Sequence, residues 1–600
     1  MPERRENVDI NYLSRDFNSI KNDLIEHAKR YYPDTFRDFS EAGFGALMVD
    51  AVSYIGDMLS FYVDYQANES FLSTAIEYNN VIKHGESVGY RHPGPRTTFG
   101  QVELFILVPA NASSTGPDRN YMPILRAGST FGGTLSSLFT LVEDIDFSDQ
   151  NNEIVVATTD ASTGIANQYA VKTIGQVVSG ETVVSEYDIG DFIRFRRIAV
   201  DDNNVTEVIS VVDSDGKEYF EVDHLSQNTI YIPISNTDST TNTQAPSIVK
   251  PVIVPRRFIV RRGQQEVNII FGYGSDSQLS SPSLLEARDV VLDLHSKNHV
   301  TDSAMDPTVL IKGDKFGIAP SNTTLFVTYR RNTSNNSNAA AGSISEVANT
   351  IMEFKNRTSL SQTTMRTVRS SLEVSNENPI QGDVRNPTIT ELRELISGAH
   401  SAQNRAVTAE DYKTMVLSMP SRFGGVKRCA VIQDVDSNLR NINLYVVSEA
   451  SDGTLEQTNL INKENIKTWL NTKRMINDSV DILDAKVVNL GISFTAMAEA
   501  DVIKSQILSN VVQNIATQAL TLGDVGESFS ITEIYRAINA TPGIIDALNV
   551  DVYQLNSAGY SSINFNVKNY ISPDGRTIRA PKNVIFEIKY PDTDIQGTIT

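Results

Sequence analysis

"FGALMVDAVSYIGDMLSFYVDYQANESFLSTA", residues 44–75, is the stretch on which the reading of this chain turns. Leu47, Ala51, Ile55, Met58, Leu59 and Tyr62 recur at helical spacing and predict a long amphipathic helix. Upstream, Phe17, Ile20, Leu24, Ala28 and Tyr31 predict another, with Ser14 as N-cap, Asp16 in its first turn and Pro33 as its stop. Downstream, Thr74 and Glu77 have capping-box spacing before a third helix that ends near Gly85 or Gly89. Three such helices bury little among themselves, yet Tyr54, Phe61, Tyr62, Tyr65 and Phe71 crowd the second and its end. Part of that stripe is therefore expected to meet another chain, or else the next domain. The candidate contact residues are Phe17, Ile20, Leu24, Ile55, Leu59, Tyr62 and Phe71.

Beyond residue 95 the period falls from 3.6 to two. Val102, Leu104, Ile106 and Val108 alternate with Gln101, Glu103, Phe105 and Leu107, which predicts a strand. Turn signals recur at Asp215-Gly216 and Asn228, so the region to about 290 is expected to be mainly β. The polar stretches 235–247 and 330–343 are expected to be loops or connections.

The last third mixes both periods. "NRAVTAEDYKTMV" (404–416) and "FSITEIYRAINATPG" (529–543) echo one another: Thr408 with Asp411, and Ser530 with Glu533, stand at capping-box spacing. Stripes Tyr412, Met415, Val416, Met419 and Ile531, Ile534, Tyr535, Ile538 follow, then a proline, a glycine and a strand. Tandem helix–turn–strand modules are predicted, with Tyr412 and Tyr535 as candidate contact residues. At 600 residues the chain exceeds one ordinary core. The expected fold class is multidomain α+β: helical bundle segment 1–95, mainly-β region 96–310, strand plus flexible polar connection 311–360, and C-terminal α+β domains 361–475 and 476–600.

A formal charge of −21 opposes a phosphate backbone, and no long Lys/Arg run offsets it, so nucleic acid is not an expected partner. A single cysteine, Cys429, builds neither an intramolecular disulfide nor a thiolate cluster and suits a reducing cytoplasm. No signal core is expected at the N-terminus, nor any apolar run near the roughly 20 residues of a membrane span. His295 and His299 share a helical face if "HSKNH" is helical, but HExxH's glutamate and a local third ligand are lacking. "DSDGKEYFE" (213–221) fails the calcium-loop phase at Val211 and fits a hairpin, and "FGYGSDS" (271–277) has no Walker lysine. No G-x-S-x-G elbow occurs, and Glu143, Asp144 and Asp146 fit a solvated surface. Arg256, Arg257, Arg261 and Arg262 in "PRRFIVRRGQQ" are either a docking patch for an acidic partner or the wet side of a strand whose Phe258 and Val260 face the core.

Several of these pieces together resemble one family. The run 44–75 followed by "VGYRHPGPRTTFGQVELFI", with "ILRAGSTF" (124–131), "NIIFGYGSD", "NRAVTAEDY" and "ATPGIIDALNV", is similar to baseplate J-like proteins of contractile-tail phages, in the family's order. The length is similar to that of the larger baseplate wedge subunit of T-even-like phages. That resemblance implies a structural virion protein without catalysis, cofactor or metal, built into the tail baseplate during assembly in the host cytoplasm. It implies partners too: itself, as a homodimer within a wedge and a ring between wedges, other wedge proteins, and the sheath-initiating tail protein, to which it relays conformational change. No membrane is expected. A tail-associated carbohydrate-binding protein or polysaccharide depolymerase is the alternative, since carboxylates are plentiful.

Overall fold

The computed structural model describes residues 16–32, 43–111, 115–133, 137–160, 165–202, 204–235, 247–264, 266–275, 316–332, 338–355, 357–382, 386–434, 441–450, 453–499, 503–519, 523–557 and 559–600. Ser14, Pro33, the His295–His299 pair and the middles of both polar loops lie outside these residues. The chain divides into two compact units, Met1–Tyr90 with Pro387–Ile396, and Arg91–Asn386 with Ser397–Thr600.

The first unit holds helices α1 (Phe17–Tyr31), α2 (Phe44–Glu69) and α3 (Tyr78–Ser87). Asp16 is itself the N-cap of α1, its carboxylate accepting from Ser19 N, two residues later than the expected cap at Ser14. The Thr74–Glu77 capping box does not form: Thr74 Oγ1 donates to Asn68 O, and the start of α3 is served from behind by Glu69. Opposite α3 lies the start of helix Ile389–Ala402, where Arg393 donates to Ala75 O; a Cβ on Gly85 would stand 2.9 Å from Ile396 Cδ1, so only glycine permits that approach.

In the second unit, strands Phe99–Pro109 and Ala166–Ser179 pair antiparallel over eleven positions, from Phe99↔Val178 to Pro109↔Gln168. The predicted alternation holds: Val102, Leu104, Ile106 and Val108 are fully buried, and the residues between them half-buried. Phe131, Phe139, Phe147 and Val171 fill the same core. At Gly180 (φ +101°) the chain leaves this sheet for an inserted one, and a Cβ there would lie 2.6 Å from Arg331 O. The inserted sheet runs from Glu181–Ile189 to Thr323–Arg331, and its last strand pairs with both Glu181–Ile189 and Val205–Asp213. Thr323–Arg331 lies in the region 311–360, read as a strand plus a flexible polar connection, and is a strand flanked on both sides. The chain then rejoins the first sheet through Ile344–Asn349 and Glu373–Ser375. "DSDGKEYFE" is a hairpin, with Gly216 at φ +76° and Asp213 Oδ1 accepting from the backbone of Asp215 and Lys217.

Two C-terminal sheets follow. In one, helix Ala409–Leu417 precedes strand Arg428–Gln433, which pairs antiparallel with the next strand, Asn441–Glu449; Ser479–Asp484 lies parallel on the other side. In the other, helix Ile531–Asn539 precedes Ile544–Gln554, which pairs antiparallel with a preceding strand, Lys486–Ala498. The echo is thus real as helix then strand, but the pairing is permuted. Only one cap is as expected. Thr408 accepts from Asp411 N at 3.2 Å and Asp411 from Thr408 N at 2.8 Å, whereas Ser530 makes no side-chain cap because it is paired with Thr577, and Ile531 N donates to Arg576 O. The second helix is held instead by burying Ile531, Ile534 and Ile538, roughly 1.5–3 kcal/mol each before entropy.

Residues 96–98 tie these sheets together. Arg96, buried, donates to Leu417 O and, at 3.4 Å, to Val426 O. Thr97 Oγ1 donates to Ser421 O, Ser421 Oγ to Thr206 O, and Arg262 Nη2 to Thr206 O. Thr98 N donates to Ser179 Oγ, and Asn332 Nδ2 to Arg96 O. His92 is buried beside this junction, and burial first, then the charges of Arg262 and Arg96, depress its pKa to about 3.

Thr408→Ala should cost about 1 kcal/mol in chemical denaturation, and Ser530→Ala much less, because only the first removes a cap hydrogen bond. His92 takes up a proton on unfolding anywhere between its folded pKa of about 3 and the unfolded value near 6.5. Stability should therefore be fully present above pH 6.5 and fall as pH drops towards 3; His92→Gln should flatten that part of the curve, measured by denaturant midpoints at several pH values.

Candidate assembly surface

α2 is built the wrong way round for a helix of an isolated protein. Towards α1 it turns Ala46, Asp50, Ser53, Gly56, Asp57 and Ser60, small or acidic residues that are buried or half-buried. Lys21 Nζ meets Asp50 Oδ1 at 2.7 Å, Ser53 Oγ returns to Val49 O, and Ile20 lies over Gly56. The other side carries the large apolar residues, and they are exposed: Phe44, Leu47, Met48, Val52, Tyr54, Ile55, Met58, Leu59, Phe61, Tyr62 and Val63. Phe44 (77%) and Phe61 (64%) mark how far from buried this face is. Single exposed apolar residues are ordinary, but a contiguous face of this size marks a contact surface.

The spacing supports that. Phe44, Met48, Ala51, Ile55, Met58 and Tyr62 stand four and three apart alternately, the seam of a coiled coil, while Asp50, Asp57 and Asp64 repeat every seven residues off it. By length and composition α2 could also cross a bilayer, which corrects the expectation that no stretch comes near a span. Asp50 and Asp57 lie well inside it, and each would cost roughly 3 kcal/mol at mid-membrane, so a bundle of helices in water suits this face better.

Beyond α2, Glu69 organises the turn. Its carboxylate accepts from Ile76 N at 2.7 Å, from Glu77 N at 3.2 Å and from Asn80 Nδ2 at 2.9 Å, and its pKa is lowered by the Asn80 and Ile76 bonds. That fastening leaves Phe71 and Ile76 exposed, at 64% and 65%.

Among the predicted contact residues, Ile55, Leu59 and Tyr62 share the exposed face of α2 and Phe71 follows it. Phe17, Ile20 and Leu24 are half-buried on α1, and Ile20 packs on Gly56 instead of facing outward. Two expectations are overturned. Arg257 is buried, donating from Nε to Leu225 O at 2.6 Å and from Nη1 to Val254 O at 2.8 Å, because it must satisfy the carbonyls of a turn inside the fold. Tyr412 is buried too, its hydroxyl donating to Asp478 at 2.7 Å, with its pKa raised by burial and then by that carboxylate. Arg262 is spent on Thr206 O, Arg256 is half-buried, and Arg261 alone of the four is exposed. Tyr535 is half-buried and accepts from Val550 N. Missed entirely was the aspartate heptad, whose signal, one residue type at i, i+7 and i+14, stands in the sequence.

Comparison with known proteins gives these helices a relative. Residues 16–87 match the family described as "Bacteriophage baseplate protein, N-terminal domain". Over 96% of this chain and 99% of its own length, a chain of the six-fold symmetrised cryo-EM structure of the anti-feeding prophage baseplate aligns at 10% identity and a TM-score of 0.28, too slight a likeness to build on. No curated protein matches. The helical unit is therefore similar to the N-terminal domain of phage baseplate proteins, and its exposed face offers apolar surface for burial.

Proposed function

We propose that this chain is a structural protein of a contractile phage tail baseplate, a wedge subunit that associates with itself and with other wedge proteins through α2. The observation that carries the reading is the inversion of α2, with small and acidic residues turned inward and Leu59, Tyr62 and their neighbours turned out. The match of residues 16–87 to a baseplate N-terminal domain supports it. Such a helix is half of an interface, and its energy is realised only when a partner helix covers it. The C-terminal sheets then serve as rigid contacts between neighbouring subunits in a ring around the tail hub. A change of baseplate state is passed to the sheath by rotation of these bodies across their interfaces. In this reading the protein acts by assembly and not by catalysis.

Replacing Leu59 and Tyr62 together by aspartate should leave the circular dichroism of the chain nearly unchanged while abolishing self-association in sedimentation and co-purification with wedge proteins, since an unpaired charge is costly to bury. An unaltered sedimentation profile would reject α2 as the contact. A wild-type monomer that cleaves or retains polysaccharide would overturn the structural role itself.

A further inference from the structure

Every residue of strand Glu153–Thr159 is exposed, although the strand carries Ile154, Val155 and Val156 in succession at 38%, 54% and 52% exposure. Among the described residues its one strand partner is Ala166–Ser179, so its other edge presents backbone N–H and C=O groups without a ladder. Edges of this kind are commonly guarded by lysine, proline or charge directed along the strand. Here there is neither lysine nor proline, and the single charge, Glu153, stands at the first residue. Both shifts of register fall after Val156, one before and one after Thr158, so residues 153–156 keep a regular ladder register.

We propose that this edge pairs antiparallel with the same edge of a second copy of the chain, about a twofold axis at Val155. In that register Ile154 faces Val156 of the other copy and Glu153 faces Ala157, so two β-branched pairs form and no like charges meet. The segment is complementary to itself, as an isologous contact requires. Backbone pairing supplies the attraction, and the alternating side chains supply the register. Five residues a side bury far less than the roughly 1,200 Å² of a free-standing interface, so the contact acts where another one already holds two copies close. It draws on the self-association reading for proximity alone; its geometry is independent of α2.

The test is position-specific cross-linking of the full chain. Val155→Cys places two thiols opposite one another at the axis, with Cβ atoms about 4.5–5.5 Å apart, close to what a disulfide needs. The native Cys429 is 1% exposed and contributes little background. Ile476→Cys, at a position 97% exposed, reports random collision. Under copper-catalysed air oxidation the Val155→Cys dimer should form at least about tenfold faster than the Ile476→Cys dimer; Val155→Lys should leave sedimentation driven by α2 in place while abolishing the mixed cross-link that Ile154→Cys chains form with Val156→Cys chains, the two positions that face one another across the axis. Equal rates for Val155→Cys and Ile476→Cys would overturn the pairing, as would preferential cross-linking of Val155→Cys to a different baseplate protein. The Leu59/Tyr62 aspartate variant reports on α2 separately: selective cross-linking at 155 together with unaltered sedimentation of that variant sinks the helix and keeps the edge.

Discussion

A single buried guanidinium joins distant segments of the larger unit. Arg96 reaches carbonyls of Leu417 and Val426, more than 300 residues away in sequence, while its own carbonyl accepts from Asn332. Residues on either side extend the junction to Ser179, Ser421 and Thr206. A loop cannot enter a protein interior unless its polar backbone groups are satisfied, and here the side chains of Arg96 and Thr97 do it. The loop 417–426 is shaped to receive them: Gly424 takes φ +82°, and at Gly425 a Cβ would stand 2.3 Å from Arg96 Cδ. Burial first, and then this concentration of positive charge, disfavours a protonated His92 beside Arg96 and Arg262. The first sheet, the inserted sheet and the loop that precedes the first C-terminal sheet thereby meet in one hydrogen-bonded junction.

What could be read along the chain was whatever is local. Strand Phe99–Pro109 announces itself through alternation, helix Ala409–Leu417 through a complete capping box, and hairpin 213–221 through Asp-Gly, because in each case the cause lies within a few residues of the effect. The failures are equally physical. Arg257 was read as part of a docking patch or of a wet strand side, yet it is buried because the carbonyls of Leu225 and Val254 need a donor. Ser530 has the spacing of a cap but is already engaged in a strand pair. Glu69 caps α3 from the preceding helix, a relation across a turn that no fixed spacing encodes. Arg96 was invisible, since nothing in "HPGPRTTFG" predicts carbonyls waiting beyond residue 416.

The candidate surface was legible for a different reason. A helix contributes to a fold through the face it buries, and α2 spends its small and acidic residues on α1. The crowding of Tyr54, Phe61 and Tyr62 therefore signals a surplus of apolar surface that no neighbour among the described residues of the unit consumes. Composition alone reveals the surplus; only coordinates show which side of the helix it occupies, and hence that Ile20 serves inside while Ile55 and Leu59 serve outside.

These two kinds of surface differ in what they can do. Burial of a wide apolar helix face is strong and weakly directional, and suits a contact made once during assembly and kept. A bare strand edge is weak, but its hydrogen bonds fix register to a single residue, and a slip by one turns every side chain to the other face. A subunit carrying both can be gathered by the first and aligned by the second. The edge can also open without dispersing the assembly, because backbone groups released from the ladder return to water at little net loss. In the proposed baseplate role, separating the contact that retains a subunit from the contact that orients it would remove the conflict between stability and change.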